Sequence, residues 1–168
     1  MEIKDSGTRR EFVSGAVRDC AEGKGRCDLL PLYEASLICG TMCSDGIPGF
    51  DPIISKLAAF MNRQGDGRIS ILVEIFELFC GANDWDAPTA LIEVSKHFEE
   101  GAKKYNERNW EKGIPTHCYL DSAIRHFLKW LRNDEDEPHD RAFLWNILCL
   151  IWTLNNKPEF DDLPNRSK

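Results

Sequence analysis

The sequence lacks any excess of positive charge: 28 acidic residues stand against 21 basic ones, a formal net charge of -7. A chain of that balance has no continuous cationic surface to track a phosphate backbone, which excludes a nucleic acid polymer as partner. Small phosphorylated ligands survive this exclusion, because a cleft can hold them through divalent cations and a few placed Lys or Arg. Long hydrophobic runs are also missing. The longest, Phe143 to Leu154, is too short to span a bilayer and contains Asn146, and the start Met1-Glu2-Ile3-Lys4-Asp5 is charged where a signal peptide would be apolar. We therefore expect no membrane partner and a cytoplasmic location. There is no C-x-x-C among the seven cysteines, which are odd in number and scattered, so they read as packing thiols of a reducing compartment. Alternating β-branched runs are nearly absent, which removes the usual strand signal.

What is present is apolar spacing at i, i+3 and i+4, and it predicts an all-α fold. With 168 residues and 42% apolar content the chain is expected to form a single domain, 1–168, able to bury a core without disulfides. Residues 1–31 are punctuated by Gly7, Gly15, Gly23, Gly25 and Pro31 and read as a loop held against the domain. A short helix is expected over Leu32 to Cys43. Asp51-Pro52 opens the next, with Ile53, Ile54, Leu57, Phe60 and Met61 on its apolar face, and Gly65-Asp66-Gly67 separates it from an apolar segment, Ile69 to Phe79. This helical hairpin is EF-hand-like only in outline. Counted from Gly67 at the sharp turn, the ligand positions hold Asn62, Gln64 and Val73, with Glu74 one residue late. Asp86-Ala87-Pro88 starts a helix whose expected apolar face is Leu91, Val94, Phe98, Ala102 and Tyr105. Helices then follow over about Tyr119 to Arg132 and 138 to 154, the last apolar nearly all round and so central. Residues 157–168 read as a flexible tail.

Chemistry-bearing residues cluster on these helices. Glu93, His97, Glu100 and Lys104 share one face, with Glu99 and Lys103 beside it, and Asp121, Arg125 and Lys129 form a second stripe next to His126. Either stripe is also readable as a solvated ion-pair ladder, Glu100 to Lys104 and Glu99 to Lys103. Asn146 and His139 share a face of the central helix, so Asn146 either bonds neighbouring backbone or faces a polar cleft. Three helices bringing carboxylates to one groove would suit a hard cation that orients a phosphate chain.

Two blocks carry a resemblance. One is Arg10-Glu11-Phe12, Gly15 to Asp19 and Glu22 to Pro31; the other includes Phe98-Glu99-Glu100-Gly101-Ala102-Lys103-Lys104-Tyr105, Glu107 to Pro115, Tyr119-Leu120-Asp121-Ser122-Ala123, Arg125-His126 and Trp145-Asn146. Together, over 9–31 and 91–152, they resemble the phage dATP/dGTP diphosphohydrolase N-terminal-domain family, which looks like a branch of the MazG-like all-α nucleotide pyrophosphohydrolases. The resemblance implies a helical bundle with residues 32–90 as an inserted helical lobe. It implies hydrolysis of a purine deoxynucleoside triphosphate, dGTP or dATP, to the monophosphate and pyrophosphate with Mg²⁺ or Mn²⁺, in a homo-oligomer (dimer or tetramer). It further implies catalytic roles for Glu99, Glu100 and Asp121, and metal ligation by these three with Asp140 and Asn146. Substrate contacts would come from Lys103, Lys104, Asn109, Trp110, Arg125 and His126, with Arg18, Lys24 and Arg26 from the first block.

The usual E-x-x-E and E-x-x-D pairs of the MazG pattern are altered here. Lys96 lies three before Glu99, Lys103 three after Glu100 and Phe143 three before Asn146. Two other readings stand beside the enzyme. One is a non-catalytic nucleotide-binding or protein-interaction module on the same scaffold. The other is an HD-type phosphohydrolase built on His97, His139-Asp140 and Asp161.

Overall fold

The computed structural model describes residues 7–20, 24–31, 50–62 and 67–163. Five helices dominate: α1 (Phe50–Asn62), α2 (Gly67–Ala82), α3 (Ala87–Tyr105), α4 (Thr116–Leu131) and α5 (His139–Asn156), with one small antiparallel sheet of β1 (Arg9–Glu11) and β2 (Val17–Asp19). The fold is all-α, as the spacing predicts. No described helix is long and apolar enough to cross a membrane. The helix expected over Leu32 to Cys43 lies outside the described residues, as do Gln64, Gly65, Asp66, Cys39 and Cys43. The five described cysteines, Cys20, Cys27, Cys80, Cys118 and Cys149, are free thiols.

α5 is central. It packs along α4 and also against α2 and α3, burying Phe143, Leu144, Ile147 and Leu150 completely. Phe79 of α2 joins this core with its ring 4.5 Å from Phe143 and 6.2 Å from Phe127, both within the range where aromatic pairs add to simple burial. α1 inserts Ile53, Leu57 and Phe60 beside them, with Pro52 in its first turn, where a missing N–H costs nothing. Asn62 ends α1, and Val73 and Glu74 lie within α2, where Glu74 pairs with Lys56 across the two helices.

Three features differ from the expectations. Residues 9–19 form a hairpin, not a loop: Arg9 faces Asp19 and Glu11 faces Val17, around a turn closed by Phe12 N–H to Ala16 O at 2.9 Å. Gly15 supplies the positive φ, +76°, which this turn needs. The buried face of α3 is rotated relative to the pattern. Ala90, Val94 and His97 are inside while Leu91 stays 52% exposed, because His97 packs on Trp145 of α5 with ring centroids 5.3 Å apart.

The third difference is at the end of the chain. Residues 157–163, read as the start of a tail, are docked. Asp162 caps α4 by accepting from the His117 backbone N–H at 3.0 Å and from Thr116 Oγ1 at 3.1 Å, so that helix starts at Thr116, earlier than expected. Asp161 accepts from Arg68 of α2 at 2.5 Å, and the Phe160 ring lies where a side chain on Gly113 would stand.

Candidate functional site

The hairpin, the C-terminal half of α3, the 3-10 turn Asn109–Lys112, α4 and the turn before α5 enclose a cleft of about 1040 Å³. The minority cations of this acidic chain gather there. Seven basic residues line it (Arg10, Arg18, Lys24, Arg26, Arg108, Arg125, Lys129) against seven acidic ones, whereas the whole chain has three basic residues for every four acidic.

Asn109 builds one wall. Its side chain accepts from Val17 N–H at 2.9 Å and donates to Val17 O at 2.8 Å, imitating a neighbouring strand and holding β2 against the 3-10 turn. β2 in turn aims Arg18 into the molecule. One Arg18 nitrogen donates to Asn146 Oδ1 at 2.9 Å, the guanidinium lies 5.1 Å from the Tyr119 ring and 5.9 Å from Trp145, and the other terminal nitrogen is buried with no hydrogen-bond partner. Asn146 meets both of its expected options: Nδ2 donates to Ala142 O at 2.8 Å while Oδ1 serves the cleft. Asp19, next along β2, accepts from Lys104 and Tyr105, each at 2.7 Å. Burial pushes the Asp19 carboxyl up, but these donors outweigh it and hold it below its ordinary range.

The expected acids are brought in only partly. Asp121 is buried and lines the cleft, accepting from Cys27 N–H at 2.6 Å and from Arg125 one turn on. Glu99 lines the cleft at an exposed position and pairs with Lys103 at 2.6 Å. Glu100 turns inward, bonding Arg141 of α5 at 2.5 Å. The Glu100 to Lys104 ladder therefore does not form, since each partner makes a longer-range bond. Asp140 accepts from the Arg141 N–H at 2.7 Å at the start of α5. Among the described residues, Glu99, Glu100, Asp121 and Asp140 do not bring three carboxylates together as one group of ligand atoms. Nor does the HD-type set converge: Asp140 stays at its helix end, and Asp161 is held by Arg68 and Thr116.

Of the expected substrate contacts, Arg18, Lys24, Arg26, Asn109, Trp110, Arg125 and His126 line the cleft, while Lys103 is outside and Lys104 stands behind Asp19. Arg26 is engaged with Asp28 at 2.5 Å. Burial pushes Lys24 below its ordinary value, with Asp19 opposing the shift. Trp110 packs on Phe98 at 5.3 Å and Trp152 at 4.9 Å, forming an apolar wall.

Several cleft groups are not legible from spacing. His97 is buried with Nδ1 unpartnered, and burial followed by Arg141, Arg18 and Lys104 holds its ring at about 3. Asp136 and Glu137, in the acidic turn before α5, both line the cleft. Asp136 accepts from Lys129 at 2.9 Å and lies 2.8 Å from His139 Nε2. His126 and His139 bring their Nδ1 atoms to 2.9 Å. Ligand atoms converge in two overlapping groups, His126 with Glu137 and His139, and Asp134 with Asp136 and His139. The i, i+3 spacing of Asp136 and His139 is the one local signal; the His126 contact depends on how the turn 132–138 folds back.

A family model described as "dATP/dGTP diphosphohydrolase, N-terminal" matches residues 64–163. This stretch includes α2, within the expected insertion, and leaves out the hairpin. The dATP/dGTP diphosphohydrolase of Salmonella phage PMBT28 is 32% identical over 87 residues, covering 45% of this chain and 30% of the relative. The chain thus matches less than a third of that relative's length. No solved structure matches. With more than half its length matched by the family model, the chain belongs to the dATP/dGTP diphosphohydrolase N-terminal family.

Proposed function

We propose that the cleft binds a purine deoxynucleoside triphosphate, dGTP or dATP, and hydrolyses it to the monophosphate and pyrophosphate. The observation that carries this reading is electrostatic. Arg18 and Arg125 line the cleft and each keeps a buried N–H group without a hydrogen-bond partner, a costly arrangement that an anionic ligand would relieve. The relative's name and the family match supply the substrate class.

On this reading the phosphates lie between Arg18 on β2 and Arg125 on α4, with Lys24 at the mouth and the base against Trp110 and Phe98. Hydrolysis adds water to the α-phosphorus and breaks its bond to the pyrophosphate oxygen. Asp121 is the acid we assign to that step, being the one member of the expected trio that is both buried and on the cleft wall. Glu100 acts by fixing α3 to α5 through Arg141, and Glu99 stands exposed on the cleft wall, paired with Lys103. A bound Mg²⁺ or Mn²⁺ would neutralise and orient the phosphates. Of the residues first expected to hold it, Glu99, Glu100, Asp121 and Asp140 are each engaged separately, and Asn146 Oδ1 meets Arg18. The converging donors are those on α4 and the turn before α5.

A second reading, a nucleotide-binding module without turnover on the same scaffold, is favoured by the internal pairing of Glu99, Glu100 and Asp121. Pyrophosphate release from dGTP and dATP with Mn²⁺ or Mg²⁺, measured beside calorimetric binding of the same nucleotides, separates the two. We expect turnover, with Arg18→Gln weakening nucleotide binding about tenfold or more. Binding without turnover would favour the module, and neither binding nor turnover would sink both.

A further inference from the structure

We infer that His126, His139 and Glu137 form a site for a first-row transition-metal dication, built from two imidazole nitrogens and one carboxylate at the rim of the cleft. The three donors come from two elements, His126 from α4 and the other two from the turn and first residue of α5. The Nδ1 atoms of the two histidines are 2.9 Å apart, and Glu137 Oε1 is 3.9 Å from each of them. With metal–nitrogen bonds of about 2.1 Å, two ligands at a right angle stand about 3.0 Å apart and at the tetrahedral angle about 3.4 Å. The nitrogen pair already has that separation, and a small rotation of the Glu137 carboxylate brings its oxygen in.

Two further observations point to a ligand. His139 is oriented by a carboxylate at its other nitrogen: Asp136 Oδ1 accepts from Nε2–H at 2.8 Å, which leaves the Nδ1 lone pair directed at His126. Carboxylate–histidine–metal relays use this arrangement to fix the tautomer and ring orientation. His97, from the facing helix, lines the same cleft with a buried ring nitrogen that has no hydrogen-bond partner, so the local histidine set offers more nitrogen donors than the protein itself uses. The neighbouring cations do not contest the site, because Arg125 is tied to Asp121 and Lys129 to Asp136. Two imidazoles and one carboxylate favour Mn²⁺, Co²⁺ or Zn²⁺ over Mg²⁺, whose preference is for oxygen.

The site's place in phosphate chemistry rests on the hydrolase reading above, but its existence does not, and the test measures existence alone. The full chain is freed of metal with a chelator and titrated with Co²⁺ in the absence of nucleotide, followed by visible absorption and calorimetry. We expect one equivalent to bind with weak d–d bands and no thiolate charge-transfer band in the near ultraviolet. His126→Gln and Glu137→Gln, both at partly exposed positions, should each weaken binding by about 100-fold or more, and Asp136→Asn by about 10- to 100-fold. Glu99→Gln should bind as the parent does, and millimolar Mg²⁺ should not displace the ion. Absence of Co²⁺ binding, a thiolate band, or undiminished binding by His126→Gln with a normal circular dichroism spectrum would overturn the site. If the ion binds as described but no deoxynucleotide is bound or turned over, the hydrolase reading fails and the metal site stands.

Discussion

Glu99 and Glu100 are neighbours in sequence with opposite surroundings, and that contrast is measurable. The Glu99 side chain is 66% exposed and its Lys103 partner 70%, so their ion pair forms in water and is screened by it. The Glu100 side chain is 19% exposed and faces Arg141 at 9%, across the packing of α3 on α5. Removing Glu100 takes away the carboxylate that the buried Arg141 meets across this packing. Glu100→Ala should therefore lower unfolding free energy by about 3 kcal/mol, measured by urea denaturation, while Glu99→Ala should leave the midpoint unchanged. Equal effects from the two would contradict the inward placement of Glu100. An activity loss in a Glu100 variant has to be read beside this stability loss, because a destabilised scaffold also lowers turnover.

The β hairpin shows how an element can be held almost entirely by residues far away in sequence. Its strands carry Arg9-Arg10-Glu11 and Val17-Arg18-Asp19, with little apolar surface to bury, and a two-stranded ribbon alone is marginal in water. Asn109 supplies what is missing by bonding both backbone groups of Val17. Asn109→Ala should cost about 2 kcal/mol and markedly raise hydrogen exchange at the Val17 amide, with weaker nucleotide binding because Arg18 loses its anchor. Unchanged protection at Val17 would count against the strand-like role. The same feature explains why a loop was expected over residues 1–31, since the bonds that make it a hairpin span about ninety positions. The start of α4 is similar: its cap, Asp162, lies 45 residues beyond His117. By contrast α3, capped by Asp86 through the Thr89 N–H at 2.8 Å, and the apolar α5 were readable locally, because their start signals and apolar patterns lie within a few turns of sequence. The cleft divides along the same line. Arg18, Asp121, Arg125 and Trp110 stand on motifs, whereas the meeting of His126 with His139 and the burial of His97 depend on tertiary packing.

At the scale of the whole molecule, the acidic excess does not describe the cleft. The cleft lining balances seven basic residues against seven acidic ones, and the interior between β2, α3, α4 and α5 is crowded with Arg18, Lys104, Arg125 and Arg141. His97 is embedded in that field. Burial first, and then Arg141, Arg18 and Lys104, hold its imidazole at about 3, against 6.5 for the same ring in an unfolded chain. Above pH 6.5 the ring is neutral in both states and pH has no leverage through it. Below pH 6.5 the unfolded chain takes up a proton that the folded one refuses, so stability falls with acidification, by about 1.4 kcal/mol per pH unit for this one group until about pH 3. Urea unfolding of the metal-free protein should show a stability at pH 5 about 2 kcal/mol below that at pH 7 from His97 alone. A His97→Gln variant, whose side chain does not titrate, should lose that much of the pH dependence while remaining folded at pH 7. Should the variant and the parent lose the same stability between pH 7 and pH 5, His97 would have to be solvated and free to protonate. The cationic interior inferred around it would then be wrong.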